Sequence, residues 1–144
     1  MYAWQSRGLL DRGSHFSPQV LPTLNGDSLL LSAKDKPLLI YFFAPWCPVC
    51  GLSISNVIGL DNSEFDIQLV ALDYANLEEI KVFVDDHQID LPVMLGHESL
   101  KRVFSVQGYP TYYILDKDNN VLMSDMGYSS TLGLKLRQGL ASGF

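Results

Sequence analysis

The 144-residue chain contains very little cysteine, with only Cys47 and Cys50. Two cysteines exclude a small fold held by several disulfides, and they also exclude a zinc site built from four thiolates. Basic residues are few as well, since 10 Lys and Arg stand against 16 Asp and Glu and give a formal net charge of −6. Because phosphate backbones are bound by clustered cations, we expect no nucleic-acid partner.

The chain also lacks an apolar signal core at its start, where residues 1–7 read MYAWQSR. One stretch without charge, residues 37–60, has 24 residues and is long enough to span a bilayer. Two prolines interrupt this stretch and its second half is polar, so a buried strand followed by a helix explains it better. We therefore expect any membrane anchor to lie before residue 1.

Hydrophobic residues make up 47% of the sequence, which is enough for one buried core in a chain of this length. Residues 1–15 show no sustained hydrophobic period, and we interpret them as a lead-in segment before a single domain over residues 16–144. An Asn-Gly pair at residues 25–26 predicts a β-hairpin near the start of that domain.

Strand and helix patterns alternate through the rest of the domain. The run LLIYFF at 38–43 predicts a central strand buried on both faces, and residues 48–60 are expected to be helical. Asn76, followed by Glu79, predicts a helix start, and leucines at 132, 136 and 140 predict an amphipathic C-terminal helix. The other predicted elements are strands at 29–31, 67–72, 91–95, 111–115 and 121–126 and a short helix at 100–104. This order predicts an α/β three-layer sandwich with a mixed sheet.

The segment Cys47-Pro48-Val49-Cys50 lies where the central strand gives way to a helix. Unpaired N–H groups and the helix dipole favour negative charge at a helix N-terminus, so they favour the nucleophilic thiolate of Cys47. Pro48 suits the first helical position. Three helical residues separate Cα atoms by about 5 Å, within disulfide range, so Cys50 can resolve a mixed disulfide formed by Cys47.

A Cys-x-x-Cys pair by itself also occurs in metal sites. His15, His87 and His97 lie far from the pair in sequence and show no metal-type spacing, so we predict neither a structural metal nor a cofactor. Soft thiolates suit Cu(I), however, and a dithiol module that carries Cu(I) is an alternative function.

The segment APWCPVC at 44–50 follows an apolar strand, and GYPT at 108–111 precedes another. Together they resemble the two active-site motifs of the thioredoxin superfamily, and the resemblance covers residues 20–142. It implies a thioredoxin-like α/β/α sandwich and a thiol–disulfide oxidoreductase, in which Cys47 attacks and Cys50 resolves. It also implies a cis peptide bond before Pro110, which would face the cysteines, and a Tyr109 backbone that pairs with the substrate polypeptide.

The remaining residues of the first motif are candidates for the substrate groove. Trp46 is expected either to offer substrate a flat apolar contact or to be a core residue. Pro48 and Val49 lie between the cysteines, where they would tune the reduction potential.

The βα unit inserted over residues 76–107 and the N-terminal hairpin are similar to the TlpA/ResA/DsbE-like branch, and the form WCPVC is similar to its copper-sensitivity-suppressor members. That branch implies a periplasmic or extracytoplasmic, membrane-tethered reductant of protein disulfides, served by a membrane electron donor of the DsbD type. A disulfide oxidase or isomerase is an alternative. A peroxiredoxin shares the insert, but its Thr-x-x-Cys motif is missing because residues 38–46 contain no Thr.

The chain departs from the thioredoxin pattern near the cysteines. Tyr41 stands where thioredoxin has a buried Asp, and we interpret it as a packing residue; Ser55 replaces a helix proline. The proton acceptor for the second cysteine is therefore open, with Asp73 and Glu98 as candidates, although each is more often a solvated carboxylate. The aspartate pair at 85–86 is interpreted as a solvated helix end.

Overall fold

A computed structural model describes residue 10 and residues 12–59 and 65–127. Within these residues the order of the elements is β1 (Gln19–Pro22), β2 (Ser28–Leu31), β3 (Leu38–Phe43), α1 (Pro48–Ile58), β4 (Asp66–Ala71), α2 (Leu77–Asp86), β5 (Val93–Leu95), α3 (Glu98–Val103), β6 (Thr111–Leu115) and β7 (Val121–Met126). The predicted α/β order is confirmed over this part of the chain. The helix predicted at leucines 132, 136 and 140 lies outside the described residues.

Strands β3 to β7 form a mixed five-stranded sheet in the order β5-β4-β3-β6-β7. The pairs β3–β4 and β4–β5 are parallel, whereas β6 runs antiparallel to both β3 and β7. The carboxyl ends of β3, β4 and β5 therefore meet the amino end of β6 at one edge of the sheet. Both sequence motifs lie at this edge.

The predicted hairpin is confirmed as a separate antiparallel pair, β1–β2. Gly26 adopts a φ of +97° in its turn, a conformation that glycine reaches without strain. A single bridge between Thr23 and Met94 joins the hairpin to the far edge of the main sheet.

Strand β3 is buried along its whole length, as the unbroken apolar run predicts. Because successive side chains of a strand point to opposite faces, β3 contributes to two cores. One core joins alternate residues of β3 to α1 and α2 through Leu39, Tyr41, Phe43, Ile54, Val57, Ile80 and Phe83. The other joins the intervening residues to α3 and the hairpin through Leu38, Ile40, Phe42, Leu21, Leu31 and Leu100. The central strand thus holds α1 and the site at its start against a rigid sheet.

The described part of the lead-in segment packs on β6 and β7. The backbone N–H of Leu10 donates to the Tyr113 hydroxyl at 3.0 Å, and that of Gly13 donates to the carbonyl oxygen of Val121 at 2.8 Å. The division between residues 15 and 16 stays a prediction. Where the chain is described, none of its helices combines the length and the apolar character needed to cross a bilayer.

Candidate active site

Cys47 is the N-cap of α1, four residues after the carboxyl end of β3. Its backbone is extended, and Pro48 opens the helix at a position that requires no N–H donor. The backbone N–H of Cys50 donates to Cys47 Sγ at 3.3 Å, so a free helix donor is aimed at this sulfur. Cys47 is 7% exposed and Cys50 is fully buried. Cys47 is therefore the more accessible residue of the pair.

The buried position of Cys50 separates the two thiols chemically. Burial raises the pKa of Cys50 well above the usual range, and its hydrogen bond with Cys47 raises it further. Cys50 is consequently held as a thiol at neutral pH. The thiol form is a poor nucleophile, so Cys50 is the less reactive sulfur of the pair.

Tyr41, expected to be a packing residue, is fully buried and also brings a hydroxyl to the cysteine pair. Its Oη lies 2.6 Å from Ser53 Oγ and 3.2 Å from the carbonyl oxygen of Cys50. Burial, and then the proximity of Cys50, raises the pKa of Tyr41, which keeps its hydroxyl neutral. A neutral pair of hydroxyls, from Tyr41 and Ser53, therefore lies beside the backbone of Cys50.

The second motif meets Cys47 across a separation of 62 residues. The Tyr109–Pro110 peptide bond is cis, and Pro110 is buried just before β6. The thiol of Cys47 approaches the carbonyl oxygen of Tyr109 at 3.7 Å. The antiparallel pairing of β6 with β3 causes this contact, since it sets Thr111 opposite Phe42 at the active-site edge.

Asp73 connects the two motifs. Its carbonyl oxygen accepts from the indole Nε1 of Trp46 at 2.8 Å, and its Oδ2 accepts from the Tyr109 hydroxyl at 2.5 Å. Lys101 Nζ donates to the same Oδ2 at 2.7 Å. The rings of Trp46 and Tyr109 meet edge to face, with centroids 5.8 Å apart. Trp46 is 57% exposed, so it is not a core residue and has a free apolar face beside Cys47.

The electrostatics of this cluster follow from its contacts. Burial raises the pKa of Asp73, but hydrogen bonds from Lys101 and Tyr109 outweigh it and leave the pKa below its usual value. Burial, followed by the neighbouring Asp73 carboxylate, raises the pKa of Tyr109. Asp73 is therefore a charged acceptor already held by two donors, which argues against its candidacy as the proton acceptor for Cys50. The Glu98 carboxylate acts on this cluster only as a nearby charge on Lys101 and Tyr109.

The histidines have other partners. His15 Nδ1 contacts Asn120 Oδ1 at 3.1 Å, His97 caps α3 by accepting from the Leu100 N–H at 3.1 Å, and the His87 ring packs on Phe83. In the described part of the chain, no three side chains of His, Cys, Asp or Glu are grouped to hold a metal ion.

An open groove of about 730 Å³ runs from Cys47 between the start of α1 and the outer face of α2. Trp46, Pro48 and Leu52 line one wall, and Val82 and Phe83 line the other. Pro48 is exposed, whereas Val49 is half-buried and packs against the core. The groove gives Cys47 an apolar approach whose lining does not include Tyr109.

Sequence reasoning named Asp73 and Tyr41 but gave them other roles, and it missed Ser53 and Lys101. Asp73 has a readable signal, because it follows β4, and the carboxyl ends of parallel strands meet at one edge. Lys101 has no such signal, since nothing in its own segment of the chain points to a carboxylate 28 residues earlier. Tyr41 stands out in the sequence as a departure from the thioredoxin pattern, but its contact with Ser53 depends on how α1 packs on β3.

The fold and the paired cysteines together define a protein of the thioredoxin-like class. The AhpC/TSA family profile matches residues 15–124, and the chain belongs to this family. The predicted enzyme class, thiol–disulfide oxidoreductase, is the class of solved structures that it resembles.

Three proteins illustrate these similarities. The thioredoxin-like protein YneN of Bacillus subtilis is 30% identical over 103 residues, covering 67% of this chain and 61% of YneN. The chain thus spans about three fifths of that relative's length. A Chlorobium tepidum protein described as thiol:disulfide interchange protein DsbE has a TM-score of 0.77 at 22% identity, with 92% of this chain and 97% of that chain covered.

The exposed lipoprotein thioredoxin Etrx1 of Streptococcus pneumoniae has a TM-score of 0.74 at 19% identity, with 87% and 99% of the two chains covered. At these identities the structures establish the fold alone. The α/β/α sandwich predicted from the sequence, with its N-terminal hairpin and βα insert, is confirmed.

Proposed function

We propose that the chain is an extracytoplasmic protein-disulfide reductase that cycles Cys47 and Cys50 between dithiol and disulfide. The observation that carries the proposal is the 3.3 Å contact between Cys47 Sγ and the Cys50 N–H at the start of α1. This contact places a helix N–H donor on Cys47 Sγ, while burial keeps Cys50 protonated. In the proposed mechanism Cys47 is the attacking sulfur and Cys50 resolves the mixed disulfide.

The proposed reaction transfers two electrons from the protein to its substrate. The Cys47 thiolate attacks one sulfur of a substrate disulfide; the substrate S–S bond breaks, and the departing sulfur takes up a proton as a thiol. Cys50 then loses its proton and attacks Cys47 Sγ. The mixed disulfide breaks, the second substrate sulfur leaves and is protonated, and the Cys47–Cys50 disulfide remains.

The substrate segment would cross the surface formed by Trp46, Pro48, Tyr109 and Pro110. Trp46 offers an exposed apolar face, and the backbone of Tyr109 pairs with the substrate polypeptide beside the attacking sulfur. Val49 lies between the cysteines with its side chain packed against the core, where it would tune the reduction potential of the pair.

The oxidised pair must be reduced again, and we propose a membrane dithiol donor of the DsbD type for this step. The proposed setting is periplasmic or otherwise extracytoplasmic, at a membrane. Support comes from the thioredoxin-superfamily motifs of the TlpA/ResA/DsbE-like branch and from the likeness to a lipoprotein thioredoxin that is exposed.

Two cysteine variants test the mechanism. Cys50→Ala is expected to accumulate mixed disulfides with polypeptide substrates, because Cys47 can still attack but nothing resolves the product. Cys47→Ala is expected to trap nothing, and both variants should lose insulin reduction. Unchanged insulin reduction in either variant would overturn the proposal.

The direction of electron flow is tested by the reduction potential of the Cys47–Cys50 pair. A value near that of thioredoxin, about −270 mV, supports a reductase, whereas one near that of DsbA, about −120 mV, indicates an oxidase. Titration of the reduced protein with Cu(I) tests the other alternative. Tight one-to-one binding without disulfide reductase activity would replace the proposal with a copper-carrying function.

A further inference from the structure

We propose that the groove between α1 and α2 docks an extended polypeptide segment in which an apolar side chain is flanked by Lys or Arg. The inference rests on the proposed function and adds a substrate class to it. The groove is continuous with the reactive sulfur, because Cys47 itself lines its inner end. A segment bound in the groove would therefore present its disulfide directly to Cys47.

The groove carries exposed apolar surface on both walls. Trp46 and Leu52 are 57% and 70% exposed on the α1 side, and Val82 is 50% exposed on the α2 side. Large apolar side chains that face each other across a concave surface mark a site for an apolar partner group. The floor is closed where the His87 ring lies so near Gly51 that a Cβ at that glycine would stand 2.9 Å from it.

The α2 wall has carboxylates at both ends of its apolar centre. Glu78, Val82 and Asp86 all line the groove, and their four-residue spacing places them along one face of the helix. Eight residues of helix correspond to about 12 Å, which an extended peptide covers in about four residues. The wall therefore matches a segment with basic residues about four positions apart and an apolar side chain between them.

The carboxylates at the C-terminal end of α2 are unfavourably placed with respect to the helix dipole. Asp85 and Asp86 are the last two residues of the helix, and no basic residue occupies its last turn. Carboxylates there meet the negative end of the helix dipole, whereas Glu78 in the first turn is favourably placed. A cation supplied by a partner would therefore stabilise the Asp86 carboxylate.

No Lys or Arg is among the residues that line this groove, all of which the structure describes. The Glu79 carboxylate accepts from the Ala75 N–H at 2.9 Å and adds a further negative charge. A second copy of the chain is disfavoured as occupant, because it would bring a net charge of −6 to an acidic surface. Charge complementarity selects a cationic segment.

The experiment uses three homodimeric peptide disulfides that differ only at two positions four residues apart. Both positions are Lys in the first peptide, Gln in the second and Glu in the third. We expect the wild-type protein to reduce the Lys peptide with a kcat/KM on the order of tenfold above that for the Glu peptide at low salt. The preference should shrink at 0.5 M salt, chosen because exposed charge pairs are screened there. Equal rates on all three peptides would overturn the inference.

Adjacent aspartates provide a matched pair of variants. Asp86→Asn combined with Glu78→Gln should abolish the preference for the Lys peptide. Asp85→Asn removes the same charge from the same helix end, but Asp85 does not line the groove, so this variant should retain the preference. A preference that survives the double variant, or is lost equally in Asp85→Asn, contradicts the assignment.

Two further measurements separate failure of this inference from failure of the proposed function. The wild-type protein and these carboxylate variants should reduce the small neutral hydroxyethyl disulfide at the same rate, because that reaction needs only the cysteine pair. Binding of Cys→Ser versions of the peptides tests docking in the groove without any redox step. Trp46 fluorescence, in a Trp4→Phe background, reports this binding. Equal binding of the Lys and Glu peptides, or self-association of the protein through this face in ultracentrifugation, would overturn the inference.

Discussion

The Tyr109 hydroxyl donates to Asp73 Oδ2 at 2.5 Å, across 36 residues of sequence. This bond ties the residue before the cis proline to the residue whose carbonyl oxygen holds the Trp46 indole. Lys101 completes the arrangement from α3. Asp73 adopts a φ of +52°, a left-handed conformation that Asp and Asn tolerate better than most residues. The two sides of the proposed substrate surface therefore share one anchor.

Asp73→Asn is expected to weaken this anchor without unfolding the protein. The Asp73 side chain is 29% exposed, so loss of its ion pair with Lys101 should change the free energy of unfolding by at most about 1 kcal/mol. With Trp46 and Tyr109 less fixed, KM for a polypeptide disulfide should rise several-fold while kcat is retained. Steady-state insulin reduction measures both constants, and Asp66→Asn, which breaks the Lys36–Asp66 surface pair, is the control.

The same carboxylate gives the anchor a pH dependence. Because the folded-state pKa of Asp73 lies below its usual value, the stabilising contribution is fully present above the ordinary carboxyl range. It is lost as the pH falls below about 4 and passes through the lowered pKa. Trp46 emission in a Trp4→Phe background should report an acid transition in this range. The Asp73→Asn protein lacks the titrating group, and persistence of the same transition there would contradict the assignment.

Tyr41→Phe is expected to slow resolution more than attack. The change removes a buried hydroxyl from Ser53 and from the Cys50 carbonyl, which should cost about 1 kcal/mol of unfolding free energy. It should also lengthen the lifetime of the mixed disulfide, because the polar neighbour that eases ionisation of buried Cys50 is gone. Rapid-quench measurement of the mixed disulfide tests this expectation.

The control for that experiment is Tyr113→Phe. The Tyr113 hydroxyl is also buried, but it donates to the Phe104 carbonyl oxygen at 2.6 Å, in the core on the other side of the sheet. Its loss should cost similar stability and leave the mixed-disulfide lifetime unchanged. Equal lifetimes in the two variants would remove Tyr41 from the mechanism.

Asn119→Ala is expected to destabilise the fold by about 2–4 kcal/mol. Asn119 is buried in the β6–β7 turn at a φ of +66°, where its Oδ1 accepts from the Ala33 N–H at 2.8 Å and its Nδ2 donates to Ser32 Oγ at 2.9 Å. Alanine loses both bonds and is strained in this conformation. Urea denaturation measures the cost, and Asn119→Gly, which relieves the strain but not the lost bonds, should unfold at an intermediate concentration.

Gly96→Ala is expected to cost about 1–3 kcal/mol through overpacking after β5. A Cβ at Gly96 would stand 2.5 Å from Leu72 Cδ2 and 2.9 Å from the carbonyl oxygen of Ala71, and the backbone atom cannot move aside easily. Gly59→Ala is the comparison, since its Cβ would come no closer than 3.3 Å to a carbonyl oxygen and its backbone is α-helical. Thermal unfolding should separate the two variants clearly.

Local patterns predicted the elements well where burial and turn chemistry agree. The run at 38–43 became β3 with the predicted bounds, and Asn76 caps α2 by accepting from the Glu79 N–H at 3.0 Å. Ends without a strong signal shifted by a few residues, as where the strand predicted at 91–95 begins at Val93. Pro92 explains that difference, because proline has no N–H to offer the strand ladder.

The sequence by itself determined the position of the cysteine pair at a strand-to-helix join, since a buried apolar run, a proline and helical spacing are all local properties. It also indicated the second motif at 108–111 through resemblance. Only the tertiary structure decided what surrounds the two sulfurs. Parallel pairing of β3 with β4 and antiparallel pairing with β6 bring Asp73 and Tyr109 to the same edge, and α3 adds Lys101. Contacts between residues so far apart in the chain depend on strand order and helix packing, which no local pattern encodes.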